Sequence, residues 1–395
     1  MKRFIEKLTP QGFLSFGPDA APIDLQSLNV LIGPNGSGKS NVIELLELLR
    51  AAPTDLAGVI RDGGGINEWI WKGNNSRQRA SISAVCNIAE AKTALRYKVE
   101  VAPIGERLEI LDELLEECEP RRSSDKDVYF YYRYQDGRPA INTRQVNGKA
   151  VKRALSRDSL VPSESVLSQR RDPDLYPELT GVASRFSRIA TYREWSIGRY
   201  APLRQPQPAD LPNDSLLPDA RNLGLILNSI EHSDQWQRLI EYMRRFLPRF
   251  RNLTTRIQSG TVQVFLHEED LRTPIPATRL SDGTIRFIAL LAILLKPETA
   301  PLICLEEPEL GLHPDAIALV AELLSEAAMT TQIVVTTQSD SLVSQLTKNV
   351  EAVMVCENVG GRTELRRLQR EQLAYWLEKY QLGDIWKIGE IGGNP

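Results

Sequence analysis

Near the start of the chain the residues Gly33-Pro34-Asn35-Gly36-Ser37-Gly38-Lys39-Ser40 fit the pattern G-x-x-x-x-G-K-[ST]. These residue types in this order suit a polyphosphate. A nucleoside triphosphate carries several charged oxygens, and they need donors fixed in one place. Glycines let the backbone curl tightly enough for the N–H groups of residues 35 to 40 to surround a β-phosphate. A helix beginning behind the loop adds partial positive charge. Lys39 is placed to bridge the β- and γ-phosphates, and the Ser40 hydroxyl to bind Mg²⁺. Gly33, Asn35, Gly36, Ser37, Gly38, Lys39, Ser40 and Asn41 are the expected nucleotide contacts, with ATP and Mg²⁺ as cofactors.

A phosphate loop alone does not separate kinases, GTPases and ATPases. The segment "PLICLEEPELGLHP" reads as a buried strand ending in adjacent carboxylates, Glu306 and Glu307. Two carboxylates side by side repel, and burying them unpaired costs several kcal/mol or more. A metal ion is a physical reason to keep them. Glu306 is expected to hold Mg²⁺ through water, and Glu307 to orient and deprotonate an attacking water. The third segment is "RLSDGTIRF", lying between a predicted hairpin and an apolar helix. It puts Ser281, Asp282 and Gly283 at a helix N-terminus, a second place suited to an anion.

These three motifs, in this order, resemble those of the ABC-type ATPases. Within that group the chain is similar to the RecF-like ATPases of the AAA_21 kind, relatives of SMC and OLD proteins. The likeness extends over "LNVLIGPNGSGKSNVIELLELL", "INEWIWKG", "LRQPQPADLP", "RLSDGTIRFIAL", "EEPELGLHP", "QIVVTTQSDSLV" and "LGDIWKIGEIGG". The resemblance implies an α/β head of the ABC-type P-loop kind. It would have a mixed or parallel sheet with helices on both faces, an antiparallel β lobe and a helical insertion. Residues 1–110 and 252–395 would form one core, and 111–251 the inserted lobe. It also implies a homodimer in which two heads stack head to tail around two ATPs. Each ATP would rest on one copy's phosphate loop beneath the other copy's Ser281 and Gly283. "PELGLHP" would cross that interface, with His313 as a cap or packing residue.

Three departures from the family pattern stand out. The metal-binding position is Glu306 where Asp is usual. The switch histidine is replaced by Gln338, in "TTQSD". Gln338 can donate an N–H to a γ-phosphate and takes a catalytic place beside Glu307, but it carries no positive charge. Slow turnover is the expected consequence. No Q-loop glutamine can be assigned.

Other members of this superfamily fit less well. A transporter subunit would place phosphate loop and signature much closer together than Lys39 and Ser281. An SMC rod would need long heptads, and an OLD protein a nuclease domain after the switch strand. The expectation is therefore an ATP-gated clamp in DNA repair or phage defence, engaging duplex DNA or gating a separately encoded nuclease or toxin. The alternative is a nucleotide-switched scaffold that binds no DNA. Candidate phosphate contacts are Arg170, Arg171 and the run "RRFLPRFR", containing Arg244, Arg245, Arg249 and Arg251. Solvated helix-end arginines are an equal reading. Tyr129, Phe130, Tyr131, Tyr132, Trp69 and Trp71 read as packing residues.

The composition suits a soluble globular protein: 395 residues, 42% hydrophobic and 25% charged. A formal net charge of −3 provides no global attraction to DNA or anionic lipid. Cys86, Cys118, Cys304 and Cys356 are scattered, which argues against zinc or disulfides and for a reducing cytoplasm. No signal peptide or membrane span is expected.

The elements that must position the chemistry follow from periodicity. Residues 3 to 9 and 12 to 16 read as strands, and Leu28 to Gly33 as a buried parallel strand leading into a helix. Alternating segments from Ala80 to Ala102 and a hairpin through Asp136-Gly137 read as antiparallel. Asn147-Gly148 reads as another turn. The acidic run "ERLEILDELLEECE" reads as strand then helix, or as a solvated face. A helix is expected from Pro173 with Asp172 as N-cap, then a strand at "IATYREW" and an extended proline-rich crossing over 201 to 218. Helices "NLGLILNSI" and "SDQWQRLIEYMRRFL" precede a hairpin over Ser259-Gly260. From there strand and helix alternate, which implies a parallel sheet.

Overall fold

The computed structural model describes residues 3–74, 78–122, 127–135, 137–144, 150–296 and 299–393. Strands β1 (Ile5–Gln11), β2 (Ile23–Asp24) and β3 (Leu28–Ile32) are followed by helices α1 (Lys39–Ala51), α2 (Leu56–Asp62) and α3 (Ile66–Trp69). Strands β4 (Ala80–Cys86), β5 (Leu95–Ile104), β6 (Arg107–Glu117), β7 (Phe130–Gln135), β8 (Arg138–Arg144) and β9 (Ala150–Ala154) come next, then helices α4 (Val166–Gln169) and α5 (Pro177–Ser187). The chain continues through β10 (Ala190–Tyr192), β11 (Gln207–Pro208), α6 (Leu223–Glu231), α7 (Trp236–Phe246), β12 (Phe250–Gln258), β13 (Thr261–Glu268) and β14 (Ile275–Pro276). The last third holds α8 (Asp282–Leu294), β15 (Leu302–Glu306), α9 (Pro314–Ala327), β16 (Gln332–Thr336), α10 (Asp340–Gln345), β17 (Val353–Val359), β18 (Arg362–Arg367), α11 (Arg370–Leu377) and α12 (Leu382–Lys387).

The chain divides into two compact units. The first comprises Met1–Gln26, Gly33–Ile189 and Met354–Arg366. Its frame is an antiparallel sheet in the order β2-β1-β4-β5-β6-β7-β8-β9. The second comprises Ser27–Ile32, Ala190–Val353 and Arg367–Pro395. Within it β10, β15, β16 and β3 pair in that order, all parallel. A separate antiparallel group joins β11, β13, β12 and β14. The expected boundary at 110/111 falls inside β6, and that at 251/252 inside β12.

In the second unit the strand–helix alternation has its expected outcome. All five residues of β3 are buried, and so are all five of β16. Asn29 is tolerated inside β3 because its amide donates to Ile333 O (3.1 Å) and accepts from Arg367 Nη2 (2.7 Å). Helix α8 is buried from Ile285 through Leu294, the pattern of a helix covered on every side. The β12–β13 hairpin turns on Ser259 and Gly260, both at positive φ (50° and 73°), which matches strand twist.

Several expectations are corrected. The first strand runs from Ile5 to Gln11, and residues 12 to 16 form a turn with an isolated bridge from Phe13 to Ile70. Helix α5 begins at Pro177, one turn later than read from Pro173. Asp172 instead accepts from the N–H groups of Asp174 and Leu175, closing a local turn that competes with helix. Asp136 and the Asn147-Gly148 turn lie outside the described residues.

The largest correction concerns the acidic run. It is one strand, β6, with Glu113, Glu116 and Glu117 buried. Each acid has partners, as buried charge requires. Glu116 accepts from Arg96 Nε (2.9 Å) and Arg133 Nη2 (3.0 Å), and Glu117 from Arg121 and the Tyr131 hydroxyl. Glu113 accepts from the Tyr97 hydroxyl (2.8 Å), the Ser165 hydroxyl (2.5 Å) and the Val166 N–H (2.9 Å). Burial pushes its carboxyl up to about 7, against those three donors, and the neighbouring Asp112 adds to the rise.

That shift has a signed consequence. The folded chain keeps the Glu113 proton up to about pH 7 and the unfolded chain releases it near the ordinary carboxyl value. Its stabilisation is therefore full at low pH and is lost as pH rises through 7. Urea unfolding at pH 5 and pH 8 is expected to show wild type losing about 3 kcal/mol relative to Glu113→Gln across that interval. A constant difference between the two proteins would contradict the assignment.

Candidate functional site

The first unit contains the phosphate loop. Gly33, Gly36 and Gly38 take φ values of 146°, 75° and 97°, which side chains rarely adopt. Space demands glycine too. A Cβ on Gly33 would lie 2.2 Å from Cys356 O, and one on Gly38 would lie 2.0 Å from Thr363 Oγ1. Gly38 serves as the left-handed N-cap of α1, whose apolar stripe from Val42 to Leu49 is buried. Lys39 is 6% exposed and turns back onto its own loop, donating to Gly33 O (2.6 Å) and Pro34 O (3.0 Å). A buried ammonium at this loop is well placed to meet an anion.

The loop's shape is fixed from outside. Asn41 Nδ2 donates to Ser15 Oγ (2.6 Å), Ser15 Oγ lies 2.6 Å from Thr363 Oγ1, and Thr363 Oγ1 donates to Ser37 O (2.8 Å). Each hydroxyl has one proton, so the relay runs in one direction, from Asn41 to Ser37. Thr363 N also donates to Ser15 O (2.9 Å). Neither Ser15 nor Thr363 stands out in sequence, because the partners are 348 residues apart. Trp71 Nε1 donates to Gly361 O (3.3 Å), and the Arg362 guanidinium lies 5.0 Å from the Trp71 ring centre. Trp69 and Trp71 are buried.

The second unit contains the carboxylates. Parallel register sets Glu306 beside Thr336 and Tyr192 beside Leu305. The residue after Tyr192, Arg193, donates from Nε to Glu306 Oε2 (2.9 Å), and Trp195 Nε1 donates to Glu306 O (2.9 Å). Glu307 has left the strand, with a left-handed φ of 43° that costs about 1 kcal/mol or more in a non-glycine residue. Its carboxylate accepts a hydrogen bond from Gln338 Nε2, just beyond the end of β16. The structure thus brings Glu307 and Gln338 together and sets Arg193 against Glu306. Arg193 was not read from sequence; only the register of β10 against β15 reveals it.

Glu309, two residues on, is buried and accepts from the Thr337 hydroxyl, while its Oε2 has no hydrogen-bond partner among the described residues. Burial raises its carboxyl, and the nearby Glu307 charge adds to the rise. Arg286, on α8, is 6% exposed and lies 5.3 Å from the Trp195 ring centre. Burial pulls its guanidinium below the usual range, and the charges of Glu309 and Asp282 oppose that pull.

The signature residues open α8. Ser281 is the N-cap, its hydroxyl accepting from Thr284 N (3.1 Å). Ser281 and Asp282 are exposed, and the Asp282 carboxylate is held by Arg204. A Cβ on Gly283 would lie 3.4 Å from Gly311 O, so the start of α8 adjoins the "PELGLHP" turn. That turn exposes Leu310 (59%), and His313 caps α9 through Asp315 N (3.4 Å).

Most of the candidate DNA-contacting arginines have local partners. Arg245 makes two bonds to Glu322 (2.9 and 2.6 Å), and Arg249 lies 3.7 Å from Glu268. Arg170 and Arg171 donate to backbone carbonyls of their own segment. Arg244 and Arg251 are exposed. Tyr131 and Tyr132 are buried, as packing residues should be.

The residues present fit the expected ligands. Gly33 and Gly38 form a cradle that any side chain would fill, and Lys39 supplies the cation a triphosphate requires. Ser40, in the first unit, and Glu306, in the second, each carry an oxygen of the kind Mg²⁺ takes. Among the described residues no group of three or more His, Cys, Asp or Glu could itself hold a metal ion.

Comparison with solved structures gives the fold. The structure described as "Crystal structure of the SmcHead bound to the C-winged helix domain of ScpA" is similar, with a TM-score of 0.60 and 16% identity, over 93% of this chain and 99% of that chain. A Pyrococcus furiosus Smc head with an extended coiled coil, bound to the C-terminal domain of ScpA, gives 0.58 and 13% over 95% and 99%. A Pyrococcus yayanosii Smc head with a coiled coil and joint gives 0.53 and 13% over the same shares. At such identities the likeness establishes an Smc-head fold and no more. A search of the curated proteins found no match. The family model described as "AAA domain, putative AbiEii toxin, Type IV TA system" matches residues 28–344, from β3 into α10. A match over most of the chain makes this protein a member of that family, AAA_21, and its fold is that of an Smc head.

Proposed function

We propose that this chain binds and slowly hydrolyses Mg·ATP, pairs head to tail around the nucleotide, and uses that pairing to gate a partner protein. The observation that carries the hydrolytic step is Glu307. Its left-handed backbone turns the carboxylate out of the strand and onto Gln338. Such local strain is kept where a side chain must be aimed. In this reading Glu306 holds Mg²⁺ through water, together with Ser40, and Mg²⁺ neutralises charge on the phosphates. Glu307 orients and deprotonates the attacking water, and Gln338 fixes the carboxylate and donates toward the γ-phosphate. Lys39 releases its loop carbonyls to take phosphate oxygens. With Gln338 neutral, transition-state charge is countered less, and turnover is slow.

Pairing is supported by the surface around α8. The signature residues, the Gly311 turn and Leu310 form one exposed area carrying anion donors and an apolar contact. In a pair, Ser281 and Gly283 of each copy would close over the other's nucleotide. The single chain with an inserted lobe over 111–251 remains the proposed domain plan, and the cytoplasm the proposed compartment.

The partner is favoured as protein over DNA because two of the four arginines in the run are paired with acids. Arg245 and Arg249 are neutralised by Glu322 and Glu268. The family description names a toxin of a toxin–antitoxin system, which agrees with an effector gate in defence. Duplex DNA engagement is the second reading, resting on the exposed Arg244 and Arg251.

Two outcomes follow. Glu307→Gln is expected to lower steady-state ATP turnover about a hundredfold or more while a fluorescent ATP analogue binds as in wild type; normal turnover would remove Glu307 from its role. Duplex DNA is expected to change wild-type turnover by less than about twofold at low and moderate salt. Stimulation that falls with salt and vanishes in Arg244→Glu with Arg251→Glu would restore the DNA reading.

A further inference from the structure

Arg204 lies in "LRQPQPADLP", far from every motif with evident chemistry. Its side chain is 3% exposed. A buried guanidinium persists only when its charge and donors are matched. Here Nε donates to Ile197 O (2.6 Å), and Nη1 to Leu280 O (2.6 Å) and Ala277 O (3.2 Å). Nη2 donates to the carboxylate of Asp282. Three of the four acceptors belong to residues 277–282, the segment that leads into α8. The planar fork therefore fixes that segment's path in a way a flexible ammonium could not.

Asp282 makes the arrangement informative. It is the first residue of α8, and its side chain is largely exposed. An acid there suits the helix dipole but opposes a phosphate. A segment meant to receive a polyanion needs that charge countered, and Arg204 pairs with it. The Ser281 cap stays exposed, its hydroxyl taking the Thr284 N–H.

We propose that Arg204 is a positioning residue for the signature segment: acting through Asp282 and the carbonyls of Ala277 and Leu280, it makes the start of α8 competent to receive the triphosphate held by a second copy. This rests on the reading that two copies share each nucleotide. Arg204 itself touches no nucleotide.

The test is complementation by mixing. Arg204→Lys is expected to keep the ATP-analogue affinity of the free protein while losing roughly tenfold or more in turnover, since charge-assisted bonds are removed. Mixed with inactive Lys39→Ala, it is expected to recover turnover that neither variant has alone, because one sound phosphate loop then meets one sound signature. Ser281→Arg mixed with Lys39→Ala is the control. If the control recovers and the Arg204→Lys mixture does not, Arg204 is a general structural staple and the proposal falls alone. If neither recovers, the shared-nucleotide reading falls. Should Arg204→Lys fail to fold, Asp282→Asn breaks the same contact from the solvent side. The proposal then expects a loss of about threefold or more in turnover, again rescued by Lys39→Ala. A gain would mean Asp282 was only an acid opposing phosphate, and would overturn the proposal.

Discussion

A phosphate loop serves a polyanion only if the chain holds its curl before the polyanion arrives. Otherwise much of the binding free energy goes into ordering the loop. In this protein the curl is held by covalent geometry and by one directed relay. Glycines at 33, 36 and 38 supply backbone angles that other residues resist. The Asn41–Ser15–Thr363–Ser37 chain of hydrogen bonds ties the loop to segments remote in sequence. Lys39 donates to two carbonyls of the same loop, Gly33 O and Pro34 O, and is itself buried.

The second unit handles charge by complementary means. Four of its acids have four different partners: Arg193 for Glu306, Gln338 for Glu307, Thr337 for Glu309, Arg204 for Asp282. In the proposed reading Glu307 takes the proton-accepting role and Glu306 faces the cation. In the same way Glu322 and Glu268 meet Arg245 and Arg249.

Much of this was legible in the sequence, for physical reasons that differ by element. The buried strand β3, helix α1 and the alternation from α8 to β17 are written in hydrophobic period and glycine placement, both local signals. The hairpin over Ser259-Gly260 is legible because only a few residues tolerate its turn. The acidic strand β6 was not legible. Its three buried glutamates look like a solvated face until Arg96, Arg133, Tyr97 and Ser165 are brought to them by the fold. Asp172 misled because an acid that closes its own turn has the same local appearance as a helix cap. In the candidate site the loop and the paired glutamates stand out by residue type and spacing, and Gln338 by its place in the family pattern. Arg193, Arg204, Ser15 and Thr363 could not, since each acts on residues that only register or long-range packing brings near.

The central claim is that a triphosphate on one copy's loop is met by another copy's signature. It is tested most directly by site-specific crosslinking between copies, on a Glu307→Gln background that retains ATP. One copy carries Asn35→Cys and the other Ser281→Cys, and a short thiol-specific bridge joins them. Of the native cysteines Cys86, Cys304 and Cys356 are buried and Cys118 is half-buried, so background is low. The account predicts a 35-to-281 bridge between different copies that forms with Mg·ATP and is nearly absent without it. Bridges that ignore nucleotide, or none at saturating Mg·ATP, would contradict it.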